Sequence, residues 1–102
     1  MDFNLQLFGG RGASSGGNFK FVGHKMLEKG KPNSSYTRYD KKGQKRETRY
    51  FDKNGEKKKD IHYVGPPNHK YPHEHYWNKD KNGNWHRSTY EDWEKEQKNG
   101  KN

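Results

Sequence analysis

Apolar positions along this chain fall mostly into short alternations with polar residues, the period of a half-buried strand rather than of a helix. In residues 1–8, Phe3, Leu5 and Leu7 alternate with polar side chains, which suits an edge strand or an extended docking segment. Residues 9–17 (GGRGASSGG) carry no packing side chain, so residues 1–18 read as a flexible arm and linker. Between Phe19 and Lys29 the signals conflict. Phe19 and Phe21 alternate, but Val22, Met26 and Leu27 have helical spacing and Gly30 follows as a stop, so a short helix is predicted here. Pro32 and Asn33 mark a loop.

The clearest pattern is a repeated turn. Asp40-Lys-Lys-Gly43 recurs as Asp52-Lys-Asn-Gly55 and again as Asp80-Lys-Asn-Gly83. Aspartate opens a turn by accepting backbone N–H groups, and glycine takes the left-handed conformation that closes it. Aromatic and alternating residues on either side complete a hairpin signature. Strands are therefore predicted near 35–39, 44–51 and 56–64, then at 73–78 and 84–89 beyond the Gly65-Pro66-Pro67 loop. Ser88 or Thr89 followed by Glu91 or Asp92 has the form of a capping box, with Lys98 near the end and Gly100 as a stop, so a C-terminal helix follows. Tyr90 and Trp93 would pin it to the sheet. The expected fold is α+β and mainly β: an antiparallel meander of about five short strands with a C-terminal helix and a disordered Gly/Ser arm. The domain occupies 19–98, and 99–102 is a tail.

Composition changes this picture in one respect. Hydrophobic residues make up only 24% of the chain but aromatics 15%, so the core must be built of rings. Aliphatic packing rests on little beyond Val22, Leu27, Ile61 and Val64. No apolar run approaches the roughly 20 residues needed to span a bilayer, and no secretory signal pattern opens the chain. A cytoplasmic location fits, with association with a virion as an alternative. Cysteine is absent, which excludes disulfides and thiolate chemistry.

The net charge is +9, and ten Lys/Arg stand against four Asp/Glu between Arg38 and Lys59. Such a hairpin region attracts polyanions, nucleic acid above all, through counterion release. Arg38, Lys45, Arg46, Arg49, Lys57 and Lys59 are its candidate contacts. Tyr36, Tyr39, Tyr50, Tyr76, Trp77 and Trp85 either stack on bases or form the core.

Candidate chemistry lies in the histidines. His62, His69, His73 and His75 fall within fourteen positions. His73 and His75 share one face of a strand, while Glu74 points the other way. With His69 or His62 they can supply three imidazoles to an open zinc site; the set His69, His73 and His75 is the metal candidate. The alternative is metal-free ribonuclease chemistry, with His62, His73 and His75 as acid and base and Arg46, Arg49 or Lys59 as electrostatic clamps. No motif demands a cofactor, and a divalent transition metal is the one candidate. Walker loops, paired-cysteine sites, serine elbows and dinucleotide fingerprints are missing.

Two resemblances add to this. The opening Asn4-Leu-Gln-Leu-Phe-Gly-Gly-Arg-Gly-Ala-Ser-Ser-Gly16 resembles the N-terminus of proteins encoded by tailed phages and prophages of Gram-positive bacteria, often in the head-gene region. The stretch Asp60-Ile-His62-Tyr63, through Gly65-Pro66-Pro67, to Pro72-His73-Glu74-His75 is similar to the core of small domains at the ends of bacterial polymorphic toxins, some of them nucleases. That likeness implies Asp60, His62, His69, His73 and His75 as site positions. The leading expectation is thus a phage-encoded accessory protein that binds nucleic acid through basic hairpins. The alternatives are a toxin-like nuclease centred on residues 60–75, and a protein-binding phage factor, either a virion component or an inhibitor of a host defence protein.

Overall fold

A computed structural model describes residues 16–100; the arm and its alternating Phe3, Leu5 and Leu7 lie outside the described residues. Six strands form one sheet in the order of the sequence: β1 (Asn18–Val22), β2 (Ser35–Tyr39), β3 (Lys45–Phe51), β4 (Lys57–His62), β5 (His73–Lys79) and β6 (Trp85–Arg87). One helix, α1 (Tyr90–Gly100), follows and packs on β5. The fold class is the expected one: among the described residues it is mainly β with a single, C-terminal helix. No helix among the described residues is long and apolar enough to cross a membrane.

The three turns form as their sequences require. In each, Asp40, Asp52 or Asp80 accepts the N–H groups of the residues two and four places ahead through one carboxylate oxygen, at 2.8–3.0 Å. Gly43, Gly55 and Gly83 all have positive φ. The helix begins with a capping box in which aspartate replaces the usual glutamate: Asp92 N–H donates to Thr89 Oγ1, and Thr89 N–H donates to Asp92 Oδ2.

Two expectations are corrected. The segment predicted as a short helix in 19–29 is a strand, β1, followed by a helix-free excursion. Moreover, β1 runs parallel to β2, so the sheet is not a pure antiparallel meander and has six strands, not about five. The physical reason is the ring core. Phe19 and Phe21 reach it only by alternating; Phe21 is buried and Phe19 stacks on Tyr36, while Val22 points outward at 61% exposure. The last strand is also shorter than predicted, at 85–87.

Cross-strand register fixes what shares a face. One row runs Phe21–Arg38–Glu47–His62–His73 across five strands, and the next runs Phe19–Tyr36–Arg49–Asp60–His75. Phe21, Met26, Tyr36 and Phe51 make the apolar core at the β1 end of this face, beneath the 23–34 excursion. The rows thus change from rings through ion pairs to imidazoles as they cross the sheet. At their centre Asp60 is fully buried and accepts two bonds from Arg49, Nε at 2.6 Å and Nη2 at 2.9 Å, and a third from Trp77 Nε1 at 3.0 Å. Arg49 Nη1 donates in addition to the Leu27 carbonyl and so anchors the excursion.

Removing one member of a buried ion pair strands the other, at a cost of about 3–5 kcal/mol. Asp60→Ala should therefore unfold the domain or lower its unfolding free energy by that amount, read by urea titration; a loss within that of an ordinary surface substitution would contradict this account. The three turn glycines offer an internal comparison. A Cβ at Gly43 or Gly83 meets nothing within 4 Å, whereas at Gly55 it would stand 2.5 Å from the Gly30 carbonyl oxygen. Gly43→Ala and Gly83→Ala should each cost about 1–2 kcal/mol through backbone conformation alone, and Gly55→Ala distinctly more. Equal losses at all three positions would show that the Gly30 contact is dispensable.

Candidate metal centre

His62, His73 and His75 meet where the two rows reach β4 and β5. His62 is the direct cross-strand partner of His73, and His75 lies two residues further along the same face of β5. The ring centroids are 4.5 Å apart for His62 and His75, 4.9 Å for His73 and His75, and 5.4 Å for His62 and His73. One nitrogen from each ring lies within 4.8 Å of the others. A tetrahedral zinc ion with bonds of about 2.0–2.1 Å needs its nitrogens closer than this, so the rings would draw together on binding one.

The backbone decides which nitrogen faces inward. His73 Nδ1 is 2.8 Å from the Lys70 carbonyl and His75 Nδ1 is 2.8 Å from the Ser88 carbonyl. A carbonyl oxygen has no proton to give, so both Nδ1 atoms carry the hydrogen and donate it. Each ring is left with an Nε2 lone pair and a fixed orientation, the arrangement in which metal-binding histidines are usually held. Burial, together with the neighbouring His75 ring, pushes His62 down to about 4, so it is neutral at pH 7. Burial likewise lowers His75, against the Ser88 bond that works to raise it.

The carboxylates near the cluster are already committed. Glu47, Asp60 and His62 also lie within ligand distance of one another. Yet Asp60 is held by Arg49 and Trp77, and Glu47 accepts from Arg38 Nε at 2.8 Å, with its other oxygen 3.6 Å from His62 Nε2. These acids orient and neutralise; the lone pairs free to take a metal are those of the imidazoles.

His69, expected as the third ligand, is not part of the triad. It stacks on Tyr90 at 3.8 Å with the rings nearly parallel, and it lies 5.6 Å from His73 by centroid. His62 takes the place given to it. His69 still lines the same cleft, of about 360 Å³, together with Arg87, Ser88 and Tyr90. Its Nδ1 is buried without a hydrogen-bond partner.

The expected nucleic-acid contacts divide. Arg49 is buried on Asp60 and is not on the surface. Arg38 is bound to Glu47 and to the Gly23 carbonyl. Lys57 pairs with Glu28 at 2.8 Å and lies over the Trp77 ring. A register shift between Tyr50 and Phe51 turns Lys57 onto the face opposite to the one alternation predicts. These three hold the fold together. Lys45 and Lys59 lie on the other face of the sheet, over Tyr63 and Tyr50. Arg46, with the paired Arg38, lines the cleft system, in a depression also lined by Glu47, His62 and Arg87. Sequence reasoning missed Glu47 and Arg87. Counting back from the Asp52 turn would set Glu47 opposite Ile61; the register shift at Tyr50/Phe51 moves it opposite His62, so the sequence carried no direct signal for it. The aromatics are likewise split, Tyr36 being core and Tyr76 43% exposed.

Long-range proton–nitrogen NMR of the histidine rings checks this geometry. The neutral rings of His73 and His75 should appear as the Nδ1–H tautomer. An Nε2–H tautomer at either position would remove it from the ligand set. Comparison of the chain with protein-family models, curated proteins and solved structures gave no match.

Proposed function

We propose that this chain is a metal-dependent phosphodiesterase acting on nucleic acid, with His62, His73 and His75 holding a divalent transition metal of the zinc class. The observation that carries the reading is the convergence of three imidazoles, each with a ring nitrogen within 4.8 Å of the others, two of them oriented by Nδ1–H bonds to backbone carbonyls. Three such ligands leave a fourth position for water. A metal held there would acidify that water to near neutrality and supply positive charge for a phosphoryl oxygen. Arg87 and Arg46 flank the cluster in adjoining depressions, where guanidinium groups suit the non-bridging oxygens of a phosphodiester. In the reaction the water oxygen bonds to phosphorus, and the bond from phosphorus to one ester oxygen breaks. The water's proton passes to Glu47 or solvent, and the leaving oxygen takes a proton from solvent.

The metal-free alternative asks one ring to give a proton to the leaving oxygen. A carbonyl-bound Nδ1–H leaves Nε2 of His73 and His75 as able to exchange protons as to bind a metal, so the EDTA sensitivity of cleavage decides between the two. A hairpin-borne binding module without chemistry is weakened by the internal pairing of Arg38, Arg49 and Lys57. The toxin-like segment from Asp60 to His75 agrees with a nuclease, and nucleic acid as partner agrees with the +9 charge.

Titration with Co²⁺ should give the visible absorption of a tetrahedral ion at one per chain. Because metal affinity depends on every ligand, His62→Ala, His73→Ala or His75→Ala should each weaken binding on the order of 100-fold, with His69→Ala changing it by less than about 5-fold. Cleavage of labelled RNA or single-stranded DNA should require the metal and stop with EDTA. Absence of metal binding, or an equal loss for His69→Ala, would refute the assignment.

A further inference from the structure

The metal centre does not sit in a closed pocket. Its cleft shares His62, Val64 and Arg87 with a neighbouring depression of about 170 Å³. That depression shares Arg38 and Arg46 with a third, of about 570 Å³, which reaches the β2–β3 turn. The three form one run across the end of the sheet. The cations lining it are Arg87, then Arg46 and the paired Arg38, then Lys41 and Lys42, with His24 in the same outer cleft. Arg87, Lys41 and Lys42 are exposed, and the Arg46 side chain is 38% exposed. The one carboxylate in the outer cleft, Asp40, spends an oxygen on its own turn and stands 3.7 Å from Arg46, which a phosphate can draw away from it.

We propose that this run is the path of a single-stranded polynucleotide, so that the substrate of the centre is a chain rather than a mononucleotide. The inference rests on the phosphodiesterase reading of the histidines and adds the substrate's form to it. From Glu47, level with His62, to Gln44 at the turn the hairpin extends about 10 Å at about 3.3 Å per residue, room for a nucleotide flanking the scissile phosphate. Its phosphate meets Arg46, Lys41 and Lys42. Its base meets Val22 and His24, which gives a role to a valine left 61% exposed at the sheet edge. A duplex is excluded by stiffness. His73 and His75 are 2% and 4% exposed, at the floor of a narrow cleft. DNA with a persistence length of about 150 base pairs does not fold into such a recess, whereas a single strand bends at each nucleotide.

The test is fluorescence anisotropy of a labelled 12-nucleotide single strand with the full chain in EDTA, so that binding is read without turnover. Lys41→Glu/Lys42→Glu, checked for fold by circular dichroism, should weaken binding on the order of 10-fold at 0.1 M salt and flatten the slope of log affinity against log salt by about 1.4, the value for two lost contacts on a single strand. A duplex of equal length should bind more weakly than the single strand. Unchanged affinity and slope in the variant, or tighter binding of the duplex, would overturn the path. Hydrolysis of bis(4-nitrophenyl) phosphate by the Co²⁺-loaded wild-type chain tests the underlying reading separately. Hydrolysis with an unaffected variant slope removes the path and keeps the centre. A reduced slope with no hydrolysis of any diester keeps the path and removes the centre.

Discussion

Everything on the functional face is arranged around one buried ion pair, Arg49 with Asp60. A chain with so few aliphatic residues cannot set strand register by a continuous apolar stripe, because outside the Phe19–Tyr36–Phe51 corner there is too little of it. The pair supplies what is missing. Its two parallel bonds join β3 to β4, the third Arg49 bond holds the excursion at Leu27, and Trp77 brings β5 to the same carboxylate. Such a pair adds little net stability over apolar residues of equal size, but any other register leaves a charge buried and unpaired. It therefore specifies the fold more than it strengthens it.

From that register the site follows. Asp60 fixed against His75, and Glu47 against His62, bring the third imidazole beside the two on β5. The helix and the 65–72 loop close the other side: Tyr90 and Trp93 pack on His73, the Tyr90 hydroxyl accepts the Lys70 N–H, and the Lys70 carbonyl in turn accepts from His73. Structural contacts and ligand orientation are thus the same bonds. The capping box at Thr89 serves this arrangement too, since Ser88, whose carbonyl aligns His75, lies one residue before it.

What the sequence made legible was local. Each Asp-Lys-x-Gly turn carries its own hydrogen bonds within five residues, and the Thr89 cap does the same, so three hairpins and the helix could be read directly. Parity along one strand likewise set His73 beside His75. What was illegible depended on distant partners. The parallel pairing of β1 with β2 joins segments separated by the 23–34 excursion, and helical spacing of Val22, Met26 and Leu27 there masked the alternation of Phe19 and Phe21. Two register shifts, at Arg38/Tyr39 and Tyr50/Phe51, broke the count that would have paired the basic side chains with their carboxylates, so Arg49 and Lys57 looked like surface charge. His62 and His69 are equal candidates until the β4–β5 register is known; the cross-strand pairing with His73 chooses the first.

The same ion pairs bear on what the centre can hold. Carboxylates are the preferred ligands of magnesium, calcium and manganese, while imidazole suits zinc, copper and nickel. Glu47 and Asp60 stand close enough to His62 to form a mixed site, but the arginines opposite them in each row take up their charge. Remove either arginine from its row and a hard carboxylate is released toward the cluster. With both in place Asp60 is fully engaged and Glu47 keeps one oxygen beside His62, so the imidazoles are the principal donors. On this argument the buried arginines act on the proposed metal centre at one remove: by engaging the acids they leave the three imidazoles as its main donors, a set that would favour a soft or borderline ion over the hard cations by ligand chemistry rather than by cavity size.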